Sequence, residues 1–263
     1  MLPFKPVPEV LAFKPVQKRV TLEAMAGYVV AASDVDETPT AEDENTRVRL
    51  TIGPGQGCER LEQRVIRFAP GQSRRQDLGG QQGVLYVVSG EGLLHVDGRA
   101  EELAPVTGAY IAAGESFNVE NPGPDELLVV LVTARPEHSV LPSGYRTIRW
   151  EDRPSLPATP NREFRFLVNE DVGCHDITQF VGVIPAGRAP MHSHAYDEVV
   201  YVLEGEGFLH LDDRKTPIAA GSCIHLPPLV EHCLENTTDD AMRVLGVFYP
   251  AGSPASKASE APG

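Results

Sequence analysis

The stretch "GCERLEQRVIRFAPG" (57–71) recurs as "GCHDITQFVGVIPAG" (173–187), and this duplication constrains the fold more than any other feature of the chain. Gly57 meets Gly173, Cys58 meets Cys174, Gln63 meets Gln179, Val65 meets Val181 and Gly71 meets Gly187, all at an offset of 116. "YVVSGEGLLHVDG" (86–98) then lies on "YVLEGEGFLHLDD" (201–213) at an offset of 115. "AYIAAGESFNVEN" (109–121) answers "CIHLPPLVEHCLEN" (223–236) with a small difference in length. Two copies of one unit, each roughly 100 residues, are too long and too few for a solenoid, so each copy reads as a small domain.

The repeated unit is β-like. Short apolar runs containing Tyr86 and Tyr201 are bounded by "SGEG" and "EGEG" turns, and capped helical stretches are few. Many short strands with Gly/Pro turns imply a β-barrel or β-sandwich. The expected organisation is an N-terminal extension and loop (1–54), a first domain (55–135), a proline-rich linker (136–165), a second domain (166–250) and a disordered tail (251–263). The acidic run "DVDETPTAEDEN" (34–45) reads as a solvated loop. Cys58 and Cys174 are expected as small buried apolar residues at equivalent strand positions.

A net charge of -14 repels nucleic acid and anionic membranes, so neither is an expected partner. No apolar run reaches the roughly 18 residues that span a bilayer. The N-terminus carries prolines and lysines where a secretory leader needs an apolar core. Four cysteines without CxxC spacing require no disulfide, and a cytoplasmic location is expected.

The two copies differ in their histidines. In "GRAPMHSHAYDEVVYVLEGEG" (187–207), His192 and His194 share strand parity and face one side. Glu198 has the same parity but would lie about 13 Å along a straight strand, whereas ligands to one metal lie about 2.0–2.2 Å from it. The chain is therefore expected to bend at Ala195–Tyr196–Asp197, so that Glu198 enters from the next strand. His232, after "CIHLPP", is expected to start a strand ending near Asn236 and to be the fourth donor. His95, His138, His175 and His210 read as ordinary hydrogen-bonded residues. His225, Tyr196 and Arg188 are candidates for the pocket or for supporting the ligands.

These motifs resemble those of the cupin superfamily. Gly187, His192, His194, Glu198 and Gly205 match its first motif with one residue fewer after the first glycine. Gly221, Pro227, His232 and Asn236 match its second, with Leu229 in place of the inner glycine. The resemblance covers about residues 55–250 and implies an all-β bicupin: two tandem double-stranded β-helix (jelly-roll) barrels, with one divalent metal on His192, His194, Glu198 and His232 of the second. In the first copy these positions map to Gln76 or Asp77, Leu78 or Gly79, Gln82 or Gly83, and Phe117. No histidine remains under either alignment, so the first barrel is expected to be structural or to bind an organic ligand without metal.

Three imidazoles and a carboxylate leave a six-coordinate ion two open positions, suited to a small polar organic substrate with O2 or water. The donors suit many metals; the family resemblance implies Mn or Fe first, with Zn, Ni, Co and Cu as alternatives. The expected function is a metal-dependent enzyme with dioxygenase-type chemistry. The alternatives are a ureidoglycine aminohydrolase-like hydrolase, another Lewis-acid cupin (isomerase or lyase), and a non-enzymatic ligand-binding cupin. The ureidoglycine family has its glutamate first and a glutamine last, an order this chain does not follow. Barrels of this type pair, so a homo-oligomer is expected.

Overall fold

A computed structural model describes residues 27–40, 43–138 and 146–256, together with the backbone of Leu11–Ala12. Expectations for the extreme N-terminus and for residues 257–263 fall outside the described residues. Among the described residues the structure is all-β, with four sheets and only short 3-10 turns between strands.

Two jelly-roll barrels are present. In the first, a seven-stranded sheet runs in the order Thr147–Arg149, Thr107–Ile111, Gln82–Ser89, Leu127–Ala134, Leu61–Phe68, Asp43–Ile52, Thr38–Thr40. It faces a six-stranded sheet centred on Ser116–Asn121. In the second, a seven-stranded sheet runs Leu156–Thr159, Arg162–Val168, Thr178–Ile184, Met242–Tyr249, Asp197–Glu204, Ser222–Leu226, Tyr28–Ala31. It faces a four-stranded sheet running Gly187–Arg188, His232–Asn236, Glu206–Leu211, Arg214–Ala219.

Strand parity sends most apolar side chains to a core inside each barrel or to one shared between them, and Phe164, Phe180 and Phe248 form a separate aromatic cluster. Leu85 and Val87 point into the first barrel with Phe117 and Leu131. Val200 and Val202 point into the second with Ile224 and Leu226. The opposite faces of the same strands, Val84 and Tyr86 in one barrel and Val199 and Tyr201 in the other, meet in a shared core between the barrels. The large sheets are thus covered on both faces, and their central strands read as continuous apolar runs for that reason. The glycines of the "GEG" turns allow close strand approach. A Cβ on Gly207 would sit 1.9 Å from the Glu235 carbonyl oxygen, and one on its counterpart Gly92 would sit 2.6 Å from that of Glu120.

Three expectations need correction. The acidic run 34–45 is not simply a solvated loop: Thr38–Thr40 pairs with Asp43–Ile52 at the edge of the first barrel. Asp43 is buried there, accepting hydrogen bonds from the Thr46 hydroxyl and the Arg74 backbone N–H. Cys58 and Cys174 are fully buried but sit in the turns that precede strands Leu61–Phe68 and Thr178–Ile184. The segments outside the repeats also build the sheets. Tyr28–Ala31 pairs with Ser222–Leu226 of the second barrel, and Thr147–Arg149 pairs with Thr107–Ile111 of the first.

Candidate metal centre

Local pairing brings the four donors together. Gly187–Arg188 pairs antiparallel with Glu235–Asn236, and the same run ends in a bridge between His192 and His232. His192 N–H donates to the His232 carbonyl at 3.0 Å, and His232 N–H returns a bond to the His192 carbonyl at 2.8 Å. The chain then leaves the sheet, bends at Ala195 and Tyr196, and enters strand Asp197–Glu204. Glu198 shares the lumen-facing parity of Val200 and Val202. The 227–230 turn closes over His194, where the Leu229 N–H donates to the His194 carbonyl at 2.7 Å. Leu229 has φ +65°, so the position the family gives to glycine keeps a left-handed backbone although a leucine fills it.

Nitrogen atoms of His192, His194 and His232 lie within 4.8 Å of one another. Glu198 Oε2 is 3.8 Å from Nε2 of both His194 and His232. His194, Glu198 and His232 are buried, while His192 is half-buried at the mouth. His232 Nδ1 lies 2.9 Å from the Val230 carbonyl, and His192 Nδ1 lies 3.2 Å from the Pro190 carbonyl. With Nδ1–H donating in each case, Nε2 keeps its lone pair for a metal.

Electrostatics favour the same use. Burial, reinforced by the neighbouring histidines, pushes His194 down to about 4 and His232 down to about 3, so both are neutral ligands near pH 7. Burial alone pushes Glu198 up to about 8. A carboxyl group this deeply desolvated beside the neutral rings of His194 and His232 lacks a compensating cation, and a divalent metal supplies one. The residues therefore fit a single divalent ion.

Of the supporting candidates, only Tyr196 meets the ligands. Its ring stacks on His194 (centroids 5.0 Å apart, 13° between planes) and packs against Phe248 at 4.5 Å. Its hydroxyl donates to the Ser253 carbonyl at 2.7 Å. Residues 251–256 of the expected disordered tail therefore include a segment laid across this ring, pinned also by the Gly252 N–H on the Thr178 hydroxyl at 3.1 Å. The tail is small and polar, so nothing in its composition signals the contact. His225 does not line the lumen; it shares parity with Cys223, points to the core between the barrels, and bonds Asp197 at 3.1 Å. Arg188 lies on the outer face, with Nε 3.5 Å from Cys233 Sγ. Phe248, which packs on His194 at 5.3 Å, was not singled out in the sequence, although its alternation with Met242 and Val244 marks it as lumen-facing. His95, His138 and His210 are hydrogen-bonded to Glu120, Asp176 and Glu235 respectively, the ordinary role expected of them.

The first barrel settles the ambiguous alignment. Gln76 pairs with Phe117 where His192 pairs with His232. Gly83 pairs with Ile111 and Thr133 where Glu198 pairs with Leu226 and Phe248. Leu78, Phe117 and Leu131 belong to its apolar core, and a Cβ on Gly83 would meet Leu78 at 2.7 Å. The Gln76 amide and hydrocarbon fill the place that four donors hold in the second barrel.

The comparisons agree with this architecture. The sequence model of the cupin domain matches residues 179–248. The chain thus has a two-barrel fold whose second barrel carries the cupin match. An uncharacterized protein of Methanocaldococcus jannaschii is 33% identical over 70 residues, 26% of this chain and 56% of that protein. The chain thus spans about half the length of this curated relative. A putative glyoxylate-induced protein from Pseudomonas aeruginosa has a TM-score of 0.75 at 20% identity, covering 92% of this chain and 95% of that one. Bacillus subtilis oxalate decarboxylase, a protein with Mn(II) centres, has a TM-score of 0.68 at 13% identity, covering 86% and 78%. At these identities the two structures show a shared fold. No helix among the described residues is long and apolar enough to cross a membrane.

Proposed function

We propose that this bicupin is a mononuclear metal enzyme in which a small polar organic substrate binds directly to a divalent ion held by His192, His194, Glu198 and His232. The observation that carries the reading is the convergence of three imidazoles, two of them buried and held neutral, beside a carboxyl group that burial pushes up to about 8. Manganese or iron is the favoured metal; the Mn(II) centres of the structurally similar oxalate decarboxylase support that choice. Bound there, such an ion supplies Lewis acidity and open positions where substrate oxygen atoms and O2 or water meet.

The chain's own residues hold, orient and shield. Val230 and Pro190 carbonyls fix the His232 and His192 tautomers. Phe248 and Tyr196 pack on His194 and keep water from its inner face. The Tyr196 phenol is pushed up to about 12, chiefly by burial, and its proton is committed to the Ser253 carbonyl. It is therefore a poor general acid or base near pH 7. Dioxygenase-type chemistry, with substrate and O2 at the open positions, is the favoured reaction, and hydrolysis with water there is the alternative.

The test is O2 uptake by Fe- and Mn-loaded protein across catechols, flavonols and β-diketones, run beside an assay for ammonia release from ureido compounds. Saturable, substrate-dependent O2 uptake that His232→Ala abolishes is the expected result. Ammonia release without O2 uptake, or saturable binding without turnover, would overturn the dioxygenase reading.

A further inference from the structure

A second group of metal-ligating side chains lies outside the lumen. Cys58 from the first barrel and Asp197 and His225 from the second bring a sulfur, a carboxylate oxygen and a ring nitrogen within 4.8 Å of one another. All three are buried, at 0%, 6% and 1% exposure. His225 Nε2 lies 3.1 Å from Asp197 Oδ1, and its Nδ1 is buried with no hydrogen-bond partner. Backbone N–H groups of Leu61 and Arg60 bond to Cys58 Sγ, the support that ligating thiolates receive in metal sites.

The repeat supplies a control within the molecule. The counterparts of Cys58, Asp197 and His225 are Cys174, Gln82 and Tyr110. There Tyr110 donates to Gln82 Oε1 at 3.0 Å, the Cys174 thiol lies 3.8 Å from that same oxygen, and Gln82 Nε2 donates to Asp176 at 2.8 Å. That locus is closed by hydrogen bonds among its own side chains and Asp176. The other holds three side chains that are each common metal ligands.

We infer that Cys58, Asp197 and His225 form a second cation site, distinct from the lumen centre, which takes a zinc-like divalent ion at the junction of the barrels. A thiolate and a carboxylate balance the two positive charges, so the burial leaves no net charge uncompensated. The mixed sulfur, nitrogen and oxygen set suits Zn(II), and three protein donors leave one position for water. Donor atoms on tetrahedral Zn(II) lie about 3.5 Å apart, close to the 3.1 Å that separates His225 Nε2 from Asp197 Oδ1, so loading asks mainly for an adjustment of the Cys58 thiol. Binding releases the Cys58 thiol proton to solvent and changes no oxidation state. The inference stands independently of the lumen metal and its chemistry.

Cobalt separates the two sites. Full-length protein produced in Co(II)-supplemented medium is expected to show thiolate-to-Co(II) charge-transfer absorption in the near ultraviolet. The lumen donors carry no sulfur, so His192→Ala is expected to keep the band while Cys58→Ser loses it along with about one Co(II) per chain. The pair Asp197→Gln with His225→Tyr copies residues that the repeat places at the matching locus; it guards against a Cys58 variant that fails to fold and is also expected to lose the band. Absence of any thiolate band in the Co(II)-grown protein, or a band unchanged in Cys58→Ser or in the double variant, would overturn the inference.

Discussion

At the residue scale the lumen centre rests on a few side chains whose partners are fixed by backbone. His192→Ala and His232→Ala are expected to lower metal affinity by more than about 100-fold, beyond the 10- to 100-fold typical of removing a supporting contact. The fold should survive, because the barrel core of Val200, Val202, Ile224 and Leu226 is separate from the donors; equilibrium dialysis with far-ultraviolet circular dichroism checks both. Leu229 gives a second prediction. A leucine at φ +65° costs about 1–2 kcal/mol, of which glycine's extra chain entropy takes back about 0.5–1. Leu229→Gly should therefore stabilise by up to about 1.5 kcal/mol in urea unfolding, with metal affinity unchanged. His192, His194 and Glu198 stand out in the sequence as candidates through parity and one bend, whereas the full set with His232 follows from the resemblance to the cupin motifs. The direction of His225 was not, because a strand buried on both faces has no polar side to show which way its residues point.

At the element scale, the repeats identified the barrels but not the strands that complete them. Tyr28–Ala31 and Thr147–Arg149 lie outside the duplicated unit, so comparison of the copies could not find them. Each covers the edge of a strand in the middle of the repeat: Ser222–Leu226 and Thr107–Ile111. An uncovered edge is a template for pairing with another chain. Replacing Tyr28 and Val30 with proline removes N–H donors from this pairing, whose hydrogen-bonded positions alternate with the Ala32 N–H on the Gly221 carbonyl, and is expected to lower the melting temperature and promote concentration-dependent association in light scattering. Unchanged stability would mean that the strand adds nothing to the barrel. The close strand crossing at Gly207 is stricter. Gly207→Ala presses a methyl group onto the Glu235 carbonyl, a backbone atom that cannot rotate away, and should destabilise by about 1–3 kcal/mol or more in the same unfolding assay.

At the scale of the whole molecule the two barrels share one core, with Tyr86 and Val132 on one side and Tyr201 and Val247 on the other. Asp176 links them: it accepts from Gln82 of the first barrel at 2.8 Å, from the backbone N–H groups of Glu137 and His138, and from the His138 ring. Burial alone would raise this carboxyl pKa, but these hydrogen bonds outweigh it and hold it below the ordinary value. The folded pKa is thus depressed, so the stabilisation is complete above the unfolded carboxylate range near pH 4 and is lost as pH falls through the lower folded value. Asp176→Asn should flatten the acid side of the stability profile, measured as urea midpoints between about pH 2 and 6. The duplication and the missing histidines of the first copy were plain in the sequence; the packing of the copies was not, since the apolar faces that meet are interleaved with those that fill each barrel. The account as a whole depends on the second lumen holding a metal that the first does not. Anomalous diffraction from crystals grown with Mn(II) tests this directly. The expected result is a peak about 2.0–2.3 Å from His192, His194, Glu198 and His232 together, with none beside Gln76, Gly83 and Phe117. An empty second lumen at saturating Mn(II), or an equal peak inside the first barrel, would contradict it.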